Sequence, residues 1–456
     1  MTRLEIIQKI ENWVKSDNHV PAGIFWLHGG VGAGKSAVAH TLAEKRQTED
    51  ELGAAFFFYR NDISRNTGDH FIPTVVLQLI EALPALTPFV EEKISRTRNL
   101  FSKSLQTQMV ELVLEPLRKL WLLHAEDPQS SPPKYPPRLI VIDGLDECVD
   151  PDFQCDLLRL IAGIIPDLPY PLRFLVTSRP ESNIREAMLL YSQNIDIQKY
   201  DLSEDPDAEK DIETFLERSF QDIRNNHPCR RDLCGWPSPS DVTTLLDRSS
   251  SHFIYAATVM RYIGSSLHQP GDRLRVILGL SPPLKDRPYA QLDALYNFIF
   301  STVSDSDQRQ KIRSALGILY LKSQQSANGG LLRRAHWHSN RQAVEELLNM
   351  KRGGLVQLFK PLLSLVSLDN DIQIFHKSLF DYLLDHSRSG DLCFDFALIH
   401  ERAADYILKK RILLGECSMP FLNSVGSAPC VDFIFQHATN TRTLPTIASS
   451  HASMTT

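Results

Sequence analysis

The chain has 456 residues, 43% of them hydrophobic and 23% charged, which is typical of globular proteins with a large buried core. A net charge of −6 argues against nucleic acid or an anionic membrane as the main partner. Seven scattered cysteines favour a reducing compartment over a disulfide framework, and no apolar stretch approaches membrane-spanning length. We therefore expect a cytoplasmic protein.

The N-terminal segment predicts a helix, a strand and then a glycine-rich loop. Apolar residues recur with helical spacing over residues 6–14, and the apolar run 25–28 predicts the first strand. This strand leads into G-x-x-x-x-G-K-S at residues 29–36, and a helix-like stretch follows. A phosphate-binding loop requires this order, because its glycines let backbone N–H groups turn toward a phosphate. The residues expected to bind nucleotide here are Gly29, Gly30, Val31, Gly32, Ala33, Gly34, Lys35, Ser36 and Ala37.

Two residues of this loop have specific expected roles. Lys35 would lie along the β- and γ-phosphates of a bound nucleotide, and the hydroxyl of Ser36 would complete the ligand shell of Mg²⁺. The expected cofactors are therefore ATP or ADP and Mg²⁺.

Further apolar runs predict the remaining strands of a sheet. They lie at residues 54–59, 139–142, 173–177 and 195–200. Helical stretches are predicted between them at residues 71–83, 108–123 and 153–165. Strands that alternate with helices predict an α/β fold, in which a parallel sheet has helices on both faces.

Acidic residues follow one of these strands. Residues 139–142 lead into Asp143, and Asp146 and Glu147 come shortly after it. Ligands of open α/β sheets bind at the carboxyl ends of the strands. Asp143 is expected to hold Mg²⁺ directly or through water, and Asp146 or Glu147 to orient and deprotonate the attacking water. The alternative is a turn whose acids cap the next helix.

The strand predicted at residues 173–177 is followed by Arg179. Its guanidinium would reach the γ-phosphate and so report whether ATP or ADP is bound. The alternative is a surface arginine in a loop that ends at Pro180.

Beyond residue 200 the pattern changes to helices. They are predicted at residues 208–220, 241–247, 253–266, 292–303, 311–321 and 341–349. A predicted helix at 355–368 followed by a β-hairpin arm at 371–375 would suit a winged-helix module. The expected parts are a nucleotide-binding domain at 1–200, a helical subdomain at 201–285, a winged-helix-like subdomain at 286–390 and the start of a further helical element at 391–456.

Several of these segments resemble the NACHT-type P-loop NTPases of the STAND (signal-transducing) class. The similarity is greatest to fungal families whose NACHT module precedes β-propeller or ankyrin repeats. It rests on residues 29–36, LIVIDGLDEC at 139–148, PLRFLVTSRPESNIREA at 171–187, FIYAATVMRYI at 253–263 and IFHKSLFDYLL at 374–384.

The resemblance implies a strand order, a function and further site residues. The strand before Arg179 would lie between the phosphate-loop strand and the Asp143 strand. His376 would contact the β-phosphate of ADP and hold the molecule closed, and Thr2 and Arg3 would lie near the adenine. The protein would be an ATP/ADP switch with slow hydrolysis, compatible with a nucleotide-dependent homo-oligomer and with a role in fungal cell-death signalling. The effector domain and repeats of the family are missing, which predicts a minimal switch or a truncated chain.

Other patterns support different readings only weakly. The S-x-x-K pattern from Ser131 to Lys134 lies in a Pro-rich loop without any accompanying hydrolase motif. His227, Cys229 and Cys234 lack the spacing of a zinc site. A basic patch would suit a DNA-binding winged-helix regulator, which is the main alternative function. A solvated or interdomain surface is favoured instead, because the chain as a whole is acidic. The residues of the patch are Arg333, Arg334, His336, His338 and Arg341. A productive P-loop ATPase is the other alternative, but we find no acceptor-substrate site for it.

Overall fold

The computed structural model describes most of the chain up to residue 401. The described residues are 3–15, 23–60, 62, 64–97, 99–126, 138–169, 172–250, 252–280, 289–323, 341–368, 372–399 and 401. Thr2, the Pro-rich loop with Ser131 and Lys134, residues 333–338 of the basic patch and the predicted C-terminal element beyond 401 lie outside them.

The first two hundred residues alternate strands and helices, as predicted. The strands are β1 (Gly23–His28), β2 (Leu52–Phe57), β3 (Leu139–Asp143), β4 (Arg173–Ser178) and β5 (Asp196–Asp201). The helices are α1 (Leu4–Lys15), α2 (Lys35–Thr48), α3 (Phe71–Ala82), α4 (Thr87–Arg96), α5 (Leu105–Met109), α6 (Glu115–Glu126), α7 (Pro151–Ile164) and α8 (Ser182–Tyr191).

The five strands form one sheet in the order β2-β3-β4-β1-β5, and every pair is parallel. β4 therefore lies between the phosphate-loop strand β1 and the acidic strand β3, which confirms the order that the resemblance implies. Because all strands run the same way, the loops that follow β1, β3 and β4 meet at one edge of the sheet.

The sheet is buried on both faces. Ile24 and Trp26 of β1 pack into one apolar cluster with residues of α3, α7 and α8. Phe25 and Leu27, which alternate with them, pack into a second cluster with residues of α1 and α2. Burial on both faces explains why the central strands appear in the sequence as continuous apolar runs.

In the sheet domain, β2 and the helix predicted at 108–123 differ most in extent from the elements observed. β2 covers residues 52–57 rather than 54–59, because after Phe57 the backbone turns and Tyr59 donates its N–H to Arg65. The helix predicted at 108–123 extends from α5 into α6 through a π-helical turn, Val110–Leu114. Pro116 has no N–H to donate to the carbonyl four residues earlier, which accounts for a local change in the hydrogen-bond pattern.

The outer edge of β2 is covered at one point by a side chain. The Gln78 carboxamide accepts a hydrogen bond from the Ala55 N–H (2.7 Å) and donates one to the Ala55 carbonyl (3.1 Å). Gln78 lies in α3, so this helix satisfies both backbone groups of Ala55 that point away from the sheet.

From residue 208 to residue 401, the described residues form helices and one small hairpin. Its helices are α9 (Ala208–Asn226), α10 (Pro239–Ser249), α11 (Phe253–Ile263), α12 (Pro270–Gly279), α13 (Ala290–Ser301), α14 (Ser306–Ser323), α15 (Arg341–Leu347), α16 (Gly354–Phe359), α17 (Ser378–Leu384) and α18 (His386–Ser389). The hairpin pairs β6 (Val366–Ser367) with β7 (Gln373–Ile374) in antiparallel orientation. Buried apolar residues from Ile212 to Ile399 form one continuous cluster, and the subdomain boundaries near 285 and 390 stay predictions.

The hairpin region also differs in detail from its prediction. The helix predicted at 355–368 ends at Phe359, and a 3₁₀ turn, Lys360–Leu362, follows, since Pro361 cannot continue an α-helix. The first hairpin strand therefore lies within residues that were predicted to be helical. The predicted elements do not include α4, α8, α12, α17 or α18. The first residues of α12, Pro270 and Gly271, resemble a loop.

Within the described residues, no single helix has both the length and the apolar character needed to span a membrane. One bent pair, Phe71–Ala82 with Pro84–Arg96, satisfies these criteria only when it is taken together, and its two parts are inclined by 116°.

Candidate functional site

The predicted phosphate-binding loop connects β1 to α2 and is packed tightly against α11. Gly32 has φ +74°, a left-handed conformation that side chains rarely adopt. A Cβ on Gly32 would lie 2.2 Å from Cγ2 of Ile254, the second residue of α11. The loop thus needs glycine at this position both for its backbone conformation and for its contact with the helical part.

Lys35 lies at the start of α2 with its ammonium group over the loop. Its Nζ donates hydrogen bonds to the carbonyls of Gly29 and Gly30, each at 2.9 Å. Burial, together with the cations Lys377 and Arg179, lowers the pKa of Lys35 to about 8 against the opposing effect of nearby acids. The buried ammonium is a suitable point charge for a polyphosphate.

The predicted magnesium ligands lie together. The Ser36 hydroxyl hydrogen-bonds to the Asp143 carboxylate at the end of β3, and the Thr177 hydroxyl of β4 donates to the same carboxylate. Burial raises the pKa of Asp143, while these two hydrogen bonds oppose the rise. A hydroxyl and a carboxylate fit Mg²⁺, which takes few protein oxygens and keeps waters and phosphate oxygens as its other ligands.

Thr177 was missed by the sequence analysis. Besides contacting Asp143, its hydroxyl oxygen accepts a hydrogen bond from the Gly144 N–H at 2.9 Å, so it fixes the turn that follows β3. The only signal in the sequence is that Thr177 is a polar residue at the end of an otherwise apolar strand.

The two candidate water-activating acids differ in their surroundings. Asp146 is 1% exposed, and its Oδ1 accepts the Arg179 N–H at 2.9 Å. Burial alone would raise the pKa of Asp146, but Lys377 and Lys35 lower it to about 2. Glu147 is partly exposed and accepts the Arg60 N–H at 3.3 Å. The catalytic role of either acid stays a prediction.

Arg179 lies at the end of β4 and reaches beyond the sheet domain. Its Nη2 donates to Asp381 in α17 at 2.7 Å, and its Nε lies 3.5 Å from Asp146. Although burial opposes it, the acids Asp381 and Asp146 raise the pKa of Arg179. The guanidinium therefore joins the strand ends to the C-terminal helical part.

His376 lies in the same site, just before α17. Its Nδ1 accepts the backbone N–H of Ser378 at 3.1 Å, so a neutral ring carries its proton on Nε2 and can donate it. Burial, together with the cations Lys377, Arg179 and Lys35, lowers the pKa of His376 to about 3. A neutral donor of this kind is compatible with the predicted contact to a phosphate.

The N-terminus and the loop after β5 hold the phosphate-binding loop from its other side. Arg3 is buried, donates to the Ala33 carbonyl at 2.8 Å and forms an ion pair with Asp205. Ser203, which the sequence analysis did not single out, accepts the Gly30 N–H through its hydroxyl oxygen at 2.7 Å. Proximity of Arg3 to an adenine stays a prediction.

The ring of His227 is held by hydrogen bonds within its own region. Both ring nitrogens of His227 have local partners, the Cys229 N–H at 3.0 Å and the Ser265 carbonyl at 3.2 Å. In the part of the chain that the structure describes, no three His, Cys, Asp or Glu side chains form a group that could hold a metal ion.

Residues 5–179 match the family described as Nephrocystin 3, N-terminal. The matched segment starts in α1 and ends at Arg179, so it contains the glycine-rich loop, the acids after β3 and the arginine after β4. The parallel sheet, with the glycine-rich loop between β1 and α2, has the α/β fold of P-loop NTPases. The match covers less than half of the chain, and it does not include the helical part. No curated protein matches the chain.

Solved structures show distant likenesses only. The Walker-type ATPase PABY2304 of Pyrococcus abyssi is 13% identical, with a TM-score of 0.38 over 82% of this chain and 93% of that one. Drosophila ORC bound to DNA is 11% identical, with a TM-score of 0.32 over 80% of each chain. Cdc6p from Pyrobaculum aerophilum is 13% identical, with a TM-score of 0.27 over 86% and 93%. At such low scores nothing about ligands or partners follows from them.

Proposed function

We propose that this protein is a NACHT-type, ATP/ADP-dependent signalling switch with slow hydrolysis. The observation that carries the proposal is the 2.7 Å ion pair between Arg179 and Asp381. It joins the residue best placed to contact a γ-phosphate to a helix of the C-terminal part. A P-loop site that is tied in this way to a second module can convert nucleotide chemistry into a change of conformation.

Other contacts join the same two parts. The Tyr59 hydroxyl, in the segment after β2, donates to the Ile374 carbonyl of the hairpin at 3.0 Å. His376 of the helical part lies close enough to Lys35 of the sheet domain for the lysine to lower the pKa of the histidine. The segment around 374–381 thus lies against the strand ends where a nucleotide would bind.

The residues present fit a nucleotide with Mg²⁺. Ser36 and Asp143 would hold the ion, which would neutralise charge on the phosphates, and Lys35 would bind the phosphate oxygens. His376 would donate to a phosphate through Nε2 while α17 is docked. Because Thr177 donates to Asp143, it would keep that carboxylate oriented.

Exchange of ADP for ATP would change the partner of Arg179. A γ-phosphate would compete with Asp381 for the guanidinium. When Arg179 binds the phosphate, α17 loses its ion pair with the sheet domain. Charge-assisted hydrogen bonds contribute about 1.5–3 kcal/mol each. Two or three such hydrogen bonds that form with one nucleotide and not with the other would supply ~5.5 kcal/mol. That free energy is enough to change an open-to-closed ratio of 1:99 into 99:1.

The resemblance to NACHT proteins also suggests where the switch acts and what it binds. We place the switch in the cytoplasm and infer that its open form associates with further copies, in fungal cell-death or immune-like signalling. These features rest on the similarity of segments such as residues 139–148 and 374–384 to NACHT proteins.

Hydrogen exchange with and without nucleotide tests the switch. The backbone of Ser378–Leu384 should exchange slowly with ADP and at least about fivefold faster with a non-hydrolysable ATP analogue. Lys35→Ala should abolish binding of both nucleotides, whereas Lys311→Ala, in an exposed pair with Asp307, should bind as the wild type does. Stoichiometric nucleotide on Lys35→Ala, or equal exchange with both nucleotides, would refute the proposal.

A further inference from the structure

One lysine of the C-terminal part is paired with both candidate water-activating acids. Lys377 follows His376 and forms an ion pair with the Asp146 carboxylate, and its Nζ lies 3.4 Å from Oε1 of Glu147. The Lys377 and Glu147 side chains are only 16% and 18% exposed. The contact therefore lies largely away from solvent, where a charge pair is stronger than on the surface.

This pairing opposes the chemistry that the acids would perform. A general base must offer a free carboxylate oxygen to the water that it orients, and its efficiency falls as its basicity falls. At Asp146 one oxygen already accepts the Arg179 N–H and the other accepts from Lys377. The ammonium also lies beside the oxygen of Glu147 that an attacking water would use.

We propose that Lys377 suppresses ATP hydrolysis by masking Asp146 and Glu147 for as long as α17 is docked on the sheet domain. The inference rests on the proposed function and adds to it the reason for slow turnover. Withdrawal of the C-terminal part would remove the lysine and free the acids. Hydrolysis would then follow the opening of the molecule and limit how long it stays open.

The reaction that Lys377 controls is the displacement at the γ-phosphorus. The water oxygen forms a bond to phosphorus and passes one proton to the Glu147 carboxylate. The bond between the γ-phosphorus and the bridging oxygen breaks, and ADP leaves with that electron pair, so phosphate and ADP are the products. A docked Lys377 opposes the proton transfer because its positive charge lies 3.4 Å from the accepting oxygen of Glu147 and lowers the basicity of that carboxylate.

The test is single-turnover ATP hydrolysis with full-length protein in excess. Lys377→Met should hydrolyse ATP at least about tenfold faster than the wild type, because its acids are free while α17 is still docked and hydrolysis does not have to wait for undocking. Lys377→Arg keeps the charge and should stay slow, and Lys311→Met, in the exposed pair with Asp307, should match the wild type. Adding Glu147→Gln to Lys377→Met should remove the gain.

The outcomes separate this inference from the proposed function. A rate for Lys377→Met equal to or below that of the wild type would refute the masking role, and a lower rate would make Lys377 a phosphate ligand instead. Lys377→Gln provides the same comparison if the methionine variant folds poorly. Lys377→Met could hydrolyse ATP faster while hydrogen exchange of α17 is the same with ADP and with the ATP analogue. That result would support the masking role of Lys377 and refute the nucleotide-dependent switch. A wild-type protein that binds no nucleotide would refute both.

Discussion

Lys35 shows how a single buried cation makes nucleotide binding depend on pH. Burial lowers the pKa of its ammonium group to about 8, so the free protein loses this charge as the pH rises above that value. A bound polyphosphate favours the charged form, so the complex keeps its proton to higher pH than the free protein.

Nucleotide affinity should therefore fall as the pH is raised from 7 to 9. The dissociation constant of a fluorescent ADP should rise up to about tenfold per pH unit above pH 8, because binding then requires uptake of a proton. Lys35→Arg does not titrate in this range and should give a flatter profile. If the ADP dissociation constants of the wild type and the variant changed equally with pH, Lys35 would not be the group that causes the pH dependence.

Gly32 lies where the phosphate-binding loop packs against α11. Its missing side chain lets the N-terminal end of α11 approach the phosphate-binding loop, with Ile254 directly opposite. The conformation of the loop and the position of the helical part are therefore linked by a single contact between two elements.

Gly32→Ala should weaken both the fold and the nucleotide site. We expect a loss of about 1–3 kcal/mol in unfolding free energy, from the positive φ and from the clash with Ile254, measured by chemical denaturation. Ile254→Ala should cost less in the Gly32→Ala chain than in the wild type, because it removes packing in both but relieves the clash only in the variant. Gly163→Ala, where a Cβ meets no atom within 4 Å, is the matched control. Equal costs of Ile254→Ala in the two chains would show that the clash does not contribute.

The elements that the sequence predicted well are those whose signal is local. β1, β3 and β4 are buried on both faces and so appear as unbroken apolar runs, and the loop at residues 29–36 has its own glycine pattern. The strand order could not be deduced from these runs and came from the family resemblance. The position of Asp143 beside Ser36 follows once the order is known.

The missed features depend on distant or weak signals. Lys377 and Asp146 are separated by 231 positions in the chain, and nothing local to either residue indicates their pairing. Thr177 and Ser203 are single polar residues next to strands. α12 begins with Pro270 and Gly271, which signal a loop as readily as a helix start.

At the scale of the whole molecule, the contacts of α17 determine how readily the two parts separate. Arg179 and Asp381 are partly exposed, with side chains 21% and 34% accessible to solvent. Solvent screening limits what such a pair contributes, so it can yield to a competing phosphate. An interface held by such pairs is suited to reversible docking.

Asp381→Asn should shift the population toward the open form without emptying the nucleotide site. Loss of the pair should cost about 1 kcal/mol, and hydrogen exchange of Ser378–Leu384 with ADP bound should rise roughly fivefold. ADP affinity should change by less than this factor, because Asp381 contacts Arg179 and not the phosphate loop. Asp307→Asn, in the exposed pair with Lys311, should leave the exchange unchanged. Unchanged exchange in Asp381→Asn would show that the pair does not hold α17.

The carboxamide of Gln78 on the outer strand has a consequence for copies that meet in solution. A second chain that sought to extend the sheet beside β2 would find the N–H and C=O of Ala55 already bonded. Strand addition at that point would have to displace the amide first, which discourages polymerisation through the sheet edge. Assemblies of this protein are therefore expected to form through surfaces other than the β2 edge. Gln78→Leu would leave the N–H and C=O of Ala55 without the carboxamide and would make strand addition at this point easier.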